Sequence, residues 1–188
     1  MPTATNIMTI YDTSLDIPAG VEAKIEGQLV KIKGPKGQVE KKLHHPTVAI
    51  LVEGKHILIK SRLSKPNKNN KMQINTFRAH LQNIINGVQK PYKATLKVCS
   101  GHFPITVIVE ANNLVVKNFL GEKSPRKAAI IPGIKVTAQG DQIIVEGADI
   151  DGVSQTAARI EQSTRITNRD RRIFQDGCYI TSKPGEEE

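Results

Sequence analysis

Along the first half of the chain, short runs of alternating apolar and polar residues are separated by glycine. Val30 and Ile32 alternate with Lys31 and Lys33 across residues 29–33, Gly34-Pro35-Lys36-Gly37 turns the chain, and residues 39–43 return it. Residues 48–52 and 56–60 predict a second hairpin around Glu53-Gly54-Lys55, and together the runs read as a β-meander. Residues 60–71 then read as a polar, basic, Asn-rich loop around Pro66. Beyond it the period changes. Ile74, Phe77, Leu81, Ile84, Ile85 and Val88 fall on one stripe of an amphipathic helix, which Gly87 and Pro91 are expected to end.

The second half repeats the plan. Strands are predicted at 92–98, 105–109 and 114–117, the last after a turn at Ala111-Asn112-Asn113. Residues 135–138 and 143–146 pair across Gln139-Gly140-Asp141, and a helix follows with Val153, Ala157 and Ile160 on one face, capped by Asp149 or Asp151. Setting Glu26 against Glu110, and Gly54 against Gly140, gives offsets of 84 and 86 residues. A near-constant offset is the mark of an internal repeat. The expected fold is α+β: two tandem homologous domains, each an antiparallel β-sheet covered by one helix. The domains are expected at 1–90 and 91–180, with 181–188 an acidic, disordered tail.

Composition narrows the core. Tryptophan is absent and aromatics make up 4% of the chain, so Ile, Val and Leu must fill it. The apolar runs fall far short of the roughly 20 residues that span a bilayer. Asp12, Asp16 and Pro18 interrupt the region where a signal peptide would lie. Cys99 and Cys178 are too few and too isolated for a disulfide framework or a zinc site, and read as buried small hydrophobes in a reducing compartment. These features predict a soluble, intracellular protein with no membrane partner.

Charge points to a partner. A net charge of +9 and a pI near 9.6 suit a polyanion. Residues 1–90 carry 14 Lys/Arg against 6 Asp/Glu, whereas 91–188 carry 13 against 12. Between Glu53 and Glu110 lie ten Lys/Arg and no acid. Three basic regions are candidates for RNA binding: Lys60, Arg62, Lys65, Lys68 and Lys71; then Lys117, Lys123, Arg126 and Lys127; then Arg165, Arg169, Arg171 and Arg172 with Phe174 and Tyr179 close behind. Arginine can grip phosphate with two N–H groups and stack on bases, and Phe or Tyr can offer a stacking face. Phe174 and Tyr179 suit a core role equally well.

Other chemistry is poorly supported. Gly34-Pro35-Lys36-Gly37 lacks the Lys-Ser/Thr of a phosphate loop and precedes a strand, so it reads as a hairpin turn with Lys36 near a phosphate at most. His44, His45, His56, His80 and His102 lack metal-ligand spacing, and His80 reads as a partly buried neighbour of the helical stripe. Asp149 and Asp151 sit where a helix begins and read as caps. No catalytic set is legible, and neither enzyme activity nor a cofactor or metal is expected.

Four strings resemble a known family: Ile32-Lys33-Gly34-Pro35-Lys36-Gly37; His102-Phe103-Pro104-Ile105; Lys117-Asn118-Phe119-Leu120-Gly121-Glu122-Lys123; and the run from Asn168 through Arg169-Asp170-Arg171-Arg172-Ile173-Phe174-Gln175-Asp176-Gly177-Cys178 to Tyr179. Over residues 17–179 the chain resembles the sixth universal protein of the large ribosomal subunit, number nine in older eukaryotic naming, in its eukaryotic branch. The resemblance implies a structural rRNA-binding protein near the base of the sarcin–ricin loop, beside the landing site of translational GTPases. It also implies neighbouring large-subunit proteins as partners, a monomeric chain, and a place in the cytoplasmic ribosome after assembly in the nucleolus. In that family, C-terminal-domain loops and the C-terminal extension make much of the rRNA contact. Here those are 117–127 and 165–179. The loop 62–71 departs from the family, lacking its tryptophans and its Gly-Asn-Arg-Lys-like stretch. Two other readings remain open: a free RNA chaperone or regulator, and a metal-dependent hydrolase or nuclease using Asp149 and Asp151.

Overall fold

A computed structural model describes residues 12–63, 65 and 67–185, in two compact units, Met1–Lys90 and Pro91–Glu188. The first unit contains β1 (Thr13–Asp16), β2 (Glu22–Glu26), β3 (Leu29–Gly34), β4 (Gly37–Lys42), β5 (Val48–Glu53), β6 (His56–Ser61) and α1 (Lys68–Gln89). Both expected hairpins form, but they belong to different antiparallel sheets, ordered β2-β3-β4 and β1-β6-β5. The meander is broken after β4, where the chain passes through His44, His45 and Pro46 and changes sheet. Alternation buries Val30, Ile32 and Val39 from one sheet and Ile57 and Ile59 from the other; α1 adds Ile74, Leu81, Ile84, Ile85 and Val88. Each such side chain stabilises the fold by about 1.5–3 kcal/mol relative to exposure.

The ends of α1 differ from the expected ones. Gly87 lies inside the helix on its buried face, and the helix runs to Gln89, with Lys90 N–H donating to Asn86 O. Pro91 follows and cannot continue the ladder. The helix begins at Lys68, inside the expected loop, because Asn67 caps it by accepting from Asn70 N–H at 2.9 Å. Asn70 is itself buried, donates to Ser61 Oγ and accepts from the Thr47 hydroxyl at 3.0 Å. Lys60 therefore lies on β6, and Lys68 and Lys71 on α1; Ser64 and Pro66 of the expected loop lie outside the described residues.

The turn between β3 and β4 also caps the far end of α1. Lys36 N–H donates to Val88 O at 3.0 Å, which satisfies a carbonyl that the last helical turn leaves open. A Cβ on Gly34 would come within 2.7–2.9 Å of Val88. Close approach, not a nucleotide, accounts for that glycine.

The second unit contains β7 (Tyr92–Cys99), β8 (Thr106–Glu110), β9 (Asn113–Lys117), a 3-10 turn (Phe119–Gly121), β10 (Arg126–Ala129), β11 (Lys135–Gln139), β12 (Gln142–Gly147), α2 (Ile150–Ser163) and β13 (Gly177–Ser182). Its sheets, β8-β9-β10 and β11-β12-β7-β13, match those of the first unit strand for strand, with β13 added on the outer side of β7. Asp149 caps α2, accepting from Asp151 and Gly152 N–H. The fold is α+β throughout. β13 takes up Thr181 and Ser182, which were expected to be disordered tail, and Thr181 donates its hydroxyl to Thr95 O at 3.0 Å. Glu186, Glu187 and Glu188 lie outside the described residues. Burial pushes the Cys178 thiol up to about 11, whereas Cys99 is only partly buried. Among the described residues, no helix is long and apolar enough to cross a membrane, and no three His, Cys, Asp or Glu side chains gather as a metal site.

Candidate nucleic-acid interface

Three segments that are distant in sequence meet in the second unit: 101–105, 118–127 and 163–177. The first two join where Asn118 donates its side-chain amide to Pro104 O at 3.0 Å and the Phe103 ring lies over Gly121. Asn118, Leu120 and Gly121 all have left-handed φ, of 59°, 51° and 77°. For Leu120 that conformation costs about 1–2 kcal/mol. The tight winding buries Phe119.

Arg126 fastens the middle segment to the end of α2. Its guanidinium lies 4.2 Å over the Phe119 ring, pairs with both carboxylate oxygens of Glu122 at 2.9 and 2.6 Å, and donates to Ser163 O at 3.1 Å and Arg165 O at 3.0 Å. Hydrogen bonding from Arg126 holds the Glu122 carboxyl below the usual carboxylate range. Arg126 was a candidate phosphate contact; its donors are engaged within the fold. Alternation along β10 turns its neighbour Lys127 the other way, onto the sheet face of Val115 and Lys117, where both lysines are exposed although Val115 is buried. Lys123 is exposed in the loop before β10.

The third segment runs from α2 to β13. Asp170 organises its middle, accepting at its carbonyl from Ile173 and Phe174 N–H and at its carboxylate from Arg172 N–H and guanidinium. The Arg172 hydrogen bond lowers the Asp170 carboxyl, while the Arg172 side chain stays 89% exposed. Arg165, Arg169 and Arg171 are exposed as well. Asp176 is 1% exposed. Its Oδ1 accepts from Gly101 N–H at 2.6 Å and His102 N–H at 2.9 Å, and its Oδ2 lies 2.6 Å from His102 Nδ1. Burial opposes ionisation of Asp176, but these donors outweigh it and hold its carboxyl below the usual range. Phe174 is half-buried, with the His102 ring stacked 4.7 Å away and the Arg169 guanidinium 4.8 Å over it. It is therefore an internal stacking platform, not a bare one. Tyr179 is exposed on β13.

Arg126 thus ties the second basic region to the third, with Lys117 and Lys127 on the sheet face turned away from it, and the first region belongs to the other unit. There Lys60 is half-buried on β6, 3.9 Å from Glu53, while Arg62, Lys65, Lys68 and Lys71 are exposed. Sequence reasoning missed Asp176 and His102 as organisers. The only available signal was a carboxylate followed by glycine at the end of a string of arginines.

The family model for ribosomal protein L6 matches the chain twice, at residues 17–91 and 103–177. The chain belongs to the ribosomal protein L6 family. Each L6 match falls largely within one of the two units, so the duplication belongs to the family itself. Relatives are large ribosomal subunit proteins uL6, which are ribosomal structural proteins and not enzymes. The protein from Staphylothermus marinus is 46% identical over 183 residues, 95% of this chain and 97% of its own length. That from Ignicoccus hospitalis is 44% identical over 174 residues, 90% and 92%. That from Methanococcus vannielii is 37% identical over 180 residues, 96% and 98%. These relatives are archaeal, so they support the L6 family without supporting its eukaryotic branch.

Proposed function

We propose that this chain is a structural constituent of the large ribosomal subunit that docks on large-subunit rRNA, with 1–90 and 91–180 as its two domains. The observation that carries the reading is the set of exposed basic side chains on the segments of the second domain that Arg126 and Asp176 tie together. Lys117, Lys123, Lys127, Arg165, Arg169, Arg171 and Arg172 are exposed there, while Glu122, Asp170 and Asp176 are each engaged by partners. Lysines and arginines neutralise phosphates, and the rigid scaffold selects a shape of RNA. Arg126 is left out of the contact set. Tyr179, Lys60, Arg62, Lys65, Lys68 and Lys71 remain candidates in it.

The family resemblance suggests a site at the base of the sarcin–ricin loop, near the translational GTPases and beside other large-subunit proteins. A place in the cytoplasmic ribosome follows from that role, and passage through a nucleolus follows only in a eukaryotic cell. Sedimentation of a tagged chain through sucrose gradients at low and raised salt tests the reading. Near-stoichiometric presence in large-subunit and polysome fractions is expected, with loss to the top of the gradient when Arg169, Arg171 and Arg172 are all replaced by alanine. An unsubstituted chain found mostly at the top would instead favour a free RNA-binding protein.

A further inference from the structure

The carboxylate of Asp176 is buried in a loop, where an ionised group is costly unless it organises something. Its three contacts, to Gly101 N–H, His102 N–H and His102 Nδ1, all fix one residue and its neighbour. His102 in turn presents its ring 22° from parallel to Phe174, and Phe174 carries the guanidinium of Arg169. We propose that Asp176, His102 and Phe174 are positioning residues that hold Arg169 ready for a phosphate of the RNA backbone. The inference rests on the RNA-docking reading above.

The chemistry of arginine favours this arrangement. Stacking uses the flat face of the guanidinium, whereas a phosphate is gripped in the plane by its N–H edge. An arginine laid on an aromatic ring therefore keeps its binding edge while losing rotamer freedom before RNA arrives. Glu122 is close enough for Arg169 to help depress its carboxyl, but the oxygens of Glu122 are already taken by Arg126. The segment that carries Arg169 has no ladder of its own between α2 and β13. The relay from Asp176 supplies the order that secondary structure would otherwise provide. Ordering one long side chain in advance should strengthen binding roughly two- to tenfold.

The test is a double-mutant cycle on the full chain, with in vitro transcribed large-subunit rRNA as the probe and binding measured across a salt series. Phe174→Leu should weaken binding roughly two- to tenfold in the wild-type background and leave the log–log salt slope unchanged. In the Arg169→Ala background it should have no further effect, and Phe174→Tyr should bind as wild type. Arg169→Ala should itself reduce the slope by about 0.7–0.9. If Phe174→Leu weakens binding equally in both backgrounds, the ring only keeps the whole segment folded and the proposal is wrong. Wild-type affinity for Phe174→Leu, or for Arg169→Ala, would overturn it too. His102→Ala supplies the same cycle should Phe174→Leu fail to fold. A wild-type chain that does not bind the transcript would overturn the docking reading itself, an outcome distinct from failure of the cycle.

Discussion

Arg126 and Lys127 are adjacent in the chain and carry the same charge, yet they serve opposite ends. Arg126 closes two backbone carbonyls at the end of α2, pairs with Glu122 and covers Phe119, while Lys127 faces solvent. Arg126→Ala should cost about 1–3 kcal/mol by removing its charged hydrogen bonds to those carbonyls and to Glu122. Urea denaturation would measure this, and the salt slope of rRNA binding should not change. Lys127→Ala should do the reverse, leaving stability alone and lowering the slope by about 0.7–0.9. Equal slope losses for the two variants would show that Arg126 reaches RNA after all. The sequence placed both residues in one basic patch, because charge counts carry no direction. A strand of four residues with only Ala128 buried is too short for alternation to reveal which one points inward. Asp176 was illegible for a related reason: its partners lie 74 and 75 positions away.

Elements were legible where a long apolar period marked them. The stripe of α1 from Ile74 onward announced the helix, and the offset between halves announced the duplication. The first turn of α1 was hidden because a buried polar residue, Asn70, holds it in place, and β1, β2, β10 and β13 were passed over. That first turn carries Lys68 and Lys71 and no acidic residue, an arrangement that sets cations against the positive end of the helix dipole. A stable helix gains nothing from such a start, whereas an anionic partner does. Lys68→Glu should therefore stabilise the fold by about 0.3–1 kcal/mol, seen as a raised melting temperature, and at the same time weaken rRNA binding. Stabilisation without any loss of binding would remove the start of α1 from the RNA contact set.

At the scale of the whole molecule the two units divide the charge unevenly. The first has an excess of eight positive charges and the second an excess of one, yet the second has the more organised basic surface. Its acids are consumed: Glu122 by Arg126, Asp170 by Arg172, and Asp176 by the His102 loop. On the docking reading proposed above, net charge alone points to the wrong half for specificity. Lysine is a compact charge on a flexible stem, suited to any phosphate backbone, whereas an arginine held by a turn or an aromatic ring meets only RNA of matching shape. Replacing Lys65, Lys68 and Lys71 together by glutamine should lower the salt slope by about 2–3 and weaken binding to large-subunit rRNA and to an unrelated structured RNA by similar factors. Replacing Arg169, Arg171 and Arg172 by alanine should weaken the large-subunit rRNA complex much more than the unrelated one. Filter binding of both triple variants to both RNAs gives the comparison. Matching losses from the two triples on both RNAs would mean that the second unit attracts RNA without selecting it, and the ordered loop between α2 and β13 would then need another reason to exist.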